Sequence, residues 1–204
     1  WVFHVAALVS FDARDYKEMQ LINVRVTADL VNLSLDNEIE KFCFVSSIAA
    51  LGRSKAGETL DENAVWKHSP YNSRYGMSKF LGEQEVWRGM AEGLSAVIVN
   101  PGMILGSGRW TEGTSRFFSL IDSGFPFIPD GAATWVDVRD VVKAMYHLMC
   151  SDVQSQRFIL VAGIQSYNDF FTTVAGALEK KINWISIPSV IQSLILPFAW
   201  LMAR

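Results

Sequence analysis

The chain has 204 residues, 50% of them hydrophobic, enough to enclose one sizeable core or a core with a small accessory lobe. Its 18 Lys and Arg against 21 Asp and Glu leave a net charge of -3, and the basic residues are scattered, so a nucleic-acid surface is not expected. Two cysteines, Cys43 in an apolar run and Cys150 at the end of a helical pattern, read as small core residues; neither a disulfide nor a metal site is expected, and a reducing, cytoplasmic setting fits.

The chain opens on an apolar strand-like run, Trp1 to Ala6, with no methionine and no signal-peptide pattern, which reads as the middle of a domain. A helical period follows over Tyr16 to Leu35, carried by Leu21, Val24, Ala28, Val31 and Leu35 and containing Asn23. Lys41 to Ser46 is a second strand, ending in Ser46-Ser47. Ala49 to Asn72, with Gly52, Gly57 and Pro70, is expected to be non-helical, and Ser73 to Glu92 then carries Tyr75, Lys79, Glu83 and Glu85 on a helix. Ala96 to Asn100 is a third strand running into Pro101-Gly102, and Gly106 to Trp135, broken by glycines, Pro126 and Pro129, is again expected to be non-helical. Asp140 is placed to cap a helix reaching Cys150, and Arg157 to Val161 forms a fourth strand. This βαβα alternation calls for a parallel sheet covered by helices, with ligands collecting outside the carboxyl ends of its strands. Trp184 to Ala203 carries no charge and is long enough to raise the question of a membrane span. Its prolines, serines and glutamine favour a buried or partner-facing segment over membrane association through 184–203.

Tyrosine is a poor acid or base near neutrality unless its pKa of about 10 is lowered. Lys79 lies one helical turn beyond Tyr75 on the same face, which predicts a phenol shifted toward phenolate. Ser47 at its strand end is then placed to hydrogen-bond a substrate oxygen while Tyr75 gives or takes the proton, and Asn23 to hold a water or a backbone group beside Lys79. Each residue alone has an ordinary alternative: an exposed helical Tyr or Lys, a serine closing a strand, an asparagine on a helix surface. Their order along the chain outweighs those alternatives.

In that order the residues resemble the extended short-chain dehydrogenase/reductase family, particularly its dihydroflavonol-reductase-like branch. His4-Val5-Ala6-Ala7 is similar to the motif after the fourth sheet strand, Asn23 to the helix asparagine, and Ser46-Ser47 to the catalytic serine motif. Tyr75 and Lys79 resemble the signature pair, Asn100-Pro101-Gly102 the turn beside the nicotinamide, and Trp135 to Val142 a late conserved block. The resemblance implies a Rossmann-type doubly wound parallel sheet with a small C-terminal substrate lobe: one incomplete domain over 1–204, with lobe segments at about 103–135 and 162–204. It further implies NAD or NADP held by His4, Ala6, Ala7, Ser46, Tyr75, Lys79, Asn100, Pro101 and Gly102. Ser47, Tyr75, Lys79 and Asn23 would form the catalytic set, with Tyr75 as general acid/base and Ser47 and Met103 against a small-molecule substrate. A homodimer through the helix after the first strand and the Tyr75 helix is also implied. The glycine-rich turn that cradles a dinucleotide pyrophosphate is not in this sequence, so the first three strands, roughly 60 to 70 residues, are expected to lie outside it and the piece alone to be inactive.

Within the family, Ile48-Ala49 follows Ser47 where dehydratases usually carry Asp-Glu, while Met103 and Ala133 stand where nucleotide-sugar members carry an asparagine and an arginine toward the diphosphate. The expected function is therefore an NAD(P)-dependent oxidoreductase acting on a carbonyl/alcohol pair. Epimerisation of a nucleotide sugar through a transient keto intermediate, or cofactor sensing without turnover, are the alternatives. Trp110, Phe117, Phe118, Phe125, Phe127 and Trp135 either line a pocket or pack the lobe. His68 reads as a loop residue, His147 as a structural helix residue, and Asp137, Arg139 and Asp140 as capping and packing groups.

Overall fold

The fold is taken from a computed structural model that describes residues 1–53, 59–110 and 113–188. In chain order, strand β1 (Val2–His4) precedes helix α1 (Tyr16–Met19), which runs through a π-helical turn (Gln20–Arg25) into α2 (Val26–Asp36). Next come β2 (Phe42–Val45), α3 (Arg74–Ala91), β3 (Ala96–Pro101), β4 (Met103–Leu105), α4 (Arg116–Asp122), β5 (Phe127–Pro129) and β6 (Ala132–Asp137). They are followed by α5 (Val138–Cys150), β7 (Gln156–Leu160), β8 (Gly163–Ser166), α6 (Tyr167–Ala177) and β9 (Ile185–Ile187). The chain divides into two compact units, one of Trp1–Gly102 with Arg139–Leu160, the other of Met103–Val138 with the residues from Val161 onward.

In the first unit β1, β2, β3 and β7 lie side by side in that order, every pair parallel. Each residue of β2 and β3 is buried, as central strands covered on both faces require, and their sequences are accordingly near-continuous apolar runs. Val31 of α2 and Val86 of α3 close over Phe42, Phe44, Ala96 and Ile98; a fully buried Val, Ile or Phe contributes roughly 1.5–3 kcal/mol. Helix α3 starts where Ser73 accepts a hydrogen bond from the Gly76 amide at 2.9 Å. Lys41, buried at the entry to β2, donates to the Leu148 and Ser151 carbonyls at 2.6 and 2.5 Å and so ties off the end of α5.

The connection between β2 and α3 is strapped along the outer strand β7. Arg157 donates to the carbonyls of Glu62, at 2.6 Å, and Ala64, while the Glu62 carboxylate accepts from the Ile159 amide at 2.9 Å. Trp66 stacks on Phe80 of α3 with 4.6 Å between ring centres.

Three expectations need correction in this unit. Helix α5 begins at Val138, so Asp140 sits within its first turn rather than capping it; the carboxylate there suits the positive helix end and lies 3.7 Å from Lys143. Cys43 is buried, its thiol pushed up to about 12 by that burial, but Cys150 is exposed beside Tyr146, whose pKa it raises. His147 likewise sits on the exposed side of α5, whose core side is Val141, Met145 and Met149.

The second unit holds two small sheets. In one, β6 pairs with β4 in parallel and with β8 antiparallel; in the other, β5 and β9 run parallel. The stretch 106–135 expected to be non-helical thus contains α4, β5 and most of β6. An aromatic cluster forms the core: Trp135 stacks on Phe170 at 4.1 Å, and Phe117 meets Trp135, Phe170 and Phe171 edge-on. Phe117 and Trp135 are therefore packing residues, and Met103 and Ala133 pack against the same cluster. Trp110 stacks on Phe118, and Phe125 meets Phe127, with Trp110, Phe125 and Phe127 each left exposed. Among the described residues no helix is long and apolar enough to cross a membrane, and most of 184–203 lies outside them.

Candidate active site

The carboxyl end of the first unit's sheet gathers most of the expected residues. Ser47 follows β2 and opens a short 3-10 turn (Ile48–Leu51), its hydroxyl accepting from the Ala49 amide at 3.2 Å. That hydroxyl also lies close enough to the Tyr75 phenol, in the first turn of α3, to lower its pKa. Gly76 lets the two elements meet, because a side-chain carbon there would come within 2.7 Å of the Ala49 carbonyl oxygen. Tyr75 is half-buried, with Phe11 edge-on to its ring at 6.2 Å.

The predicted shift of the phenol has the opposite sign. Burial raises the Tyr75 pKa above its ordinary value, and the Ser47 hydrogen bond pulls it back; Lys79 is not among the groups that set it. Lys79 is instead 1% exposed, donating to the Val45 carbonyl at 2.9 Å with its ammonium 4.4 Å from the centre of the Phe44 ring. Burial lowers its pKa to about 8, against which Glu83 acts.

Asn23 occupies the π-helical turn and is buried, its amide fully engaged. It accepts from the Leu8 amide and donates to the Leu8 carbonyl, both at 2.8 Å, and donates to the Ser78 hydroxyl at 2.9 Å. It therefore holds a backbone group and the helix residue next to Lys79. His4 turns its ring into the core: Nε2 lies 2.9 Å from the Thr27 hydroxyl, and burial, aided by the Lys79 charge, lowers its pKa to about 4. What His4 offers outward is its backbone, continued by Ala6 and Ala7 beyond the strand. Pro101 ends β3 and Gly102 follows it, its amide held by the Leu160 carbonyl at 3.0 Å. Met103 begins β4 in the second unit.

Two residues of this region, Glu83 and Arg157, carry no role in the sequence reading. Glu83, fully buried, accepts from Asn100 at 2.5 Å and pairs with Arg157 at 3.3 Å. Asn100 also donates to the Ser47 carbonyl at 2.9 Å. The one local signal is a carboxylate a helical turn beyond Lys79; the Arg157 partner is 74 residues away and leaves none. The buried Ser46 hydroxyl and the Asn100 side-chain oxygen have no partner among the described residues, at the end of a parallel sheet where ligands are received.

Residues 1–147 match the male sterility protein family, an NAD-binding family. The chain belongs to that family. It is thereby an extended short-chain dehydrogenase/reductase with a Rossmann-type sheet. A Synechocystis sp. protein assigned as a dihydroflavonol 4-reductase is 29% identical over 152 residues, 72% of this chain and 43% of that protein. A cinnamoyl-CoA reductase of Medicago truncatula is 24% identical over 182 residues, covering 82% and 55%. Among solved structures, that of gox2253 superposes with a TM-score of 0.82 at 27% identity, covering 98% of this chain and 61% of the other. The Thermus thermophilus UDP-glucose 4-epimerase in complex with NAD shares the fold, with a TM-score of 0.76 at 20% identity and coverage of 91% and 64%. The chain spans about half the length, or less, of the curated relatives it matches.

Proposed function

We propose that this chain carries the proton-transfer centre of an NAD(P)-dependent oxidoreductase that interconverts a carbonyl and an alcohol. The observation that carries the reading is the nearness of the Ser47 hydroxyl, at the carboxyl end of β2, to the Tyr75 phenol, whose pKa it lowers, with Tyr75 on the same helix as a buried Lys79. The Ser47 hydroxyl orients the substrate oxygen, and the Tyr75 phenol exchanges a proton with it. Burial keeps that phenol protonated through neutral pH, which suits it to donate as a carbonyl is reduced.

NAD or NADP, when bound, would supply or accept the hydride. The residues present fit its nicotinamide end: the unpartnered Ser46 hydroxyl and Asn100 oxygen offer polar contacts, Lys79 has spare donors beyond Val45, and Ala6, Ala7, Pro101 and Gly102 offer backbone and little bulk. No glycine-rich turn for the pyrophosphate is among the 204 residues. The substrate role of Met103 and a homodimer through α2 and α3 belong to the same proposal.

Ketone or aldehyde reduction is favoured over sugar-nucleotide chemistry by Met103 and Ala133, which pack apolar surface where a diphosphate needs charge-assisted partners, and over dehydration by Ile48. The 29% identical relative is also assigned as a reductase. Replacing Tyr75 with Phe in the full-length protein tests the reading: nicotinamide oxidation with a panel of aromatic and aliphatic carbonyls should fall by about 10²-fold or more while nucleotide binding persists. Turnover equal to wild type would refute it.

A further inference from the structure

A carboxylate that is 0% exposed needs a reason, since an unpaired buried charge is among the costliest features a fold can carry. Glu83 touches three parts of the first unit at once. On its own helix it faces Lys79 one turn back; across the sheet it accepts from Asn100, which in turn holds the Ser47 carbonyl; and on the outer strand it pairs with Arg157, itself bound to the strap at Glu62 and Ala64.

We propose that Glu83 is a positioning residue of this centre: its carboxylate sets the counter-charge for Lys79 and, through Asn100, fixes the turn that presents Ser47, with Arg157 balancing its charge from β7. The inference rests on the reading of Lys79 and Ser47 as parts of a proton-transfer site. Among the described residues the groups around the ammonium are few. On its own helix Tyr75 stands one turn before it and Glu83 one turn after; His4 comes from β1 and, through Glu83, Arg157 from β7. Strand β2 contributes the Phe44 ring and the Val45 carbonyl, and the π-helical turn packs on α3 through the neutral Asn23. His4, with a pKa of about 4, is uncharged near neutrality. Glu83 is therefore the anion on which the protonation of Lys79 depends in a site that burial makes hostile to charge.

The experiment is a pH titration of the Lys79 side chain by carbon NMR in lysine-labelled full-length protein without added nucleotide, the resonance being assigned by its loss in Lys79→Met. Wild type should titrate near 8. Glu83→Gln keeps the shape and one acceptor oxygen, for Asn100 or for Arg157 but not for both, and removes the charge; its midpoint should fall by about one pH unit or more. Arg157→Gln removes the competing cation, and its midpoint should rise. Mere loosening of the fold would admit water and raise both. A midpoint in Glu83→Gln that stays or rises, or one in Arg157→Gln that stays or falls, overturns the inference. The titration needs no substrate, so midpoints that move as stated while Tyr75→Phe leaves turnover intact would overturn the reductase reading and spare the role of Glu83.

Discussion

The backbone carbonyl oxygen of Asn23 stands where a side-chain carbon on Gly82 would meet it at 2.6 Å. The π-helical turn and α3 are thus in backbone contact, and that contact brings the Asn23 amide to Ser78. Alanine is the better helix former by about 1 kcal/mol, but a backbone oxygen cannot rotate aside. Gly82→Ala should destabilise by about 1–3 kcal/mol in urea melts. Gly176→Ala in α6, where the added carbon meets nothing within 4 Å, should instead stabilise by about 0.5–1 kcal/mol. Equal effects at the two sites would mean that the helices are not in contact at Gly82.

Removing the Ser47 hydroxyl should act on Tyr75 before any substrate is present. That hydroxyl is what lowers the phenol against burial, so Ser47→Ala should move phenolate formation at Tyr75 to still higher pH. Carbon NMR of labelled tyrosine would show the change. Loss of the cap on the following 3-10 turn should cost about 1 kcal/mol. An unmoved Tyr75 titration would show that the hydroxyl pair does not form.

Lys41 is expected to matter for stability alone. Lys41→Met preserves the buried stem but strips the donor from the carbonyls that close α5, leaving the Ser151 oxygen without it and Leu148 with the Ser151 hydroxyl at 2.8 Å. A loss of about 1–3 kcal/mol should appear in chemical denaturation, with turnover unchanged. A neutral result would place Lys41 in solvent.

His4 makes stability fall on the acid side. The residue is 4% exposed, and its pKa is near 6.5 when unfolded and about 4 when folded, so the unfolded chain takes up the proton first as pH drops. The stability held by the neutral ring is full above 6.5 and is lost as pH falls through 4. Relative to His4→Gln, which does not titrate, wild type should lose on the order of 3 kcal/mol across that window. Parallel stability curves for the two proteins would refute the burial of the ring.

The parallel sheet is readable in the sequence because its central strands are buried on both faces: Phe42–Val45 and Ala96–Pro101 match the apolar runs to within a residue or two. The second unit is not. Its strands β4, β5 and β9 are three residues long, and β5 finds its partner 58 positions later, Phe127 against Ile185, so neither period nor proximity marks them. The placement of Ser47 at a strand end and of Tyr75 and Lys79 on one helix is legible from type and spacing, whereas the sign of the Tyr75 shift is not, because spacing reports a neighbouring charge and says nothing of burial. The tie from Glu83 to Arg157 joins residues far apart in the chain, and nothing in either local sequence predicts it.

The strap beside β7 has a colloidal consequence. Among the described residues β7 borders its sheet, and a bordering strand with free amides is a template on which another chain can add a strand. The Glu62 carboxylate occupies the Ile159 amide, and the Arg157 guanidinium holds the strap there by its backbone. The same few atoms that anchor this connection therefore also blunt edge-to-edge aggregation.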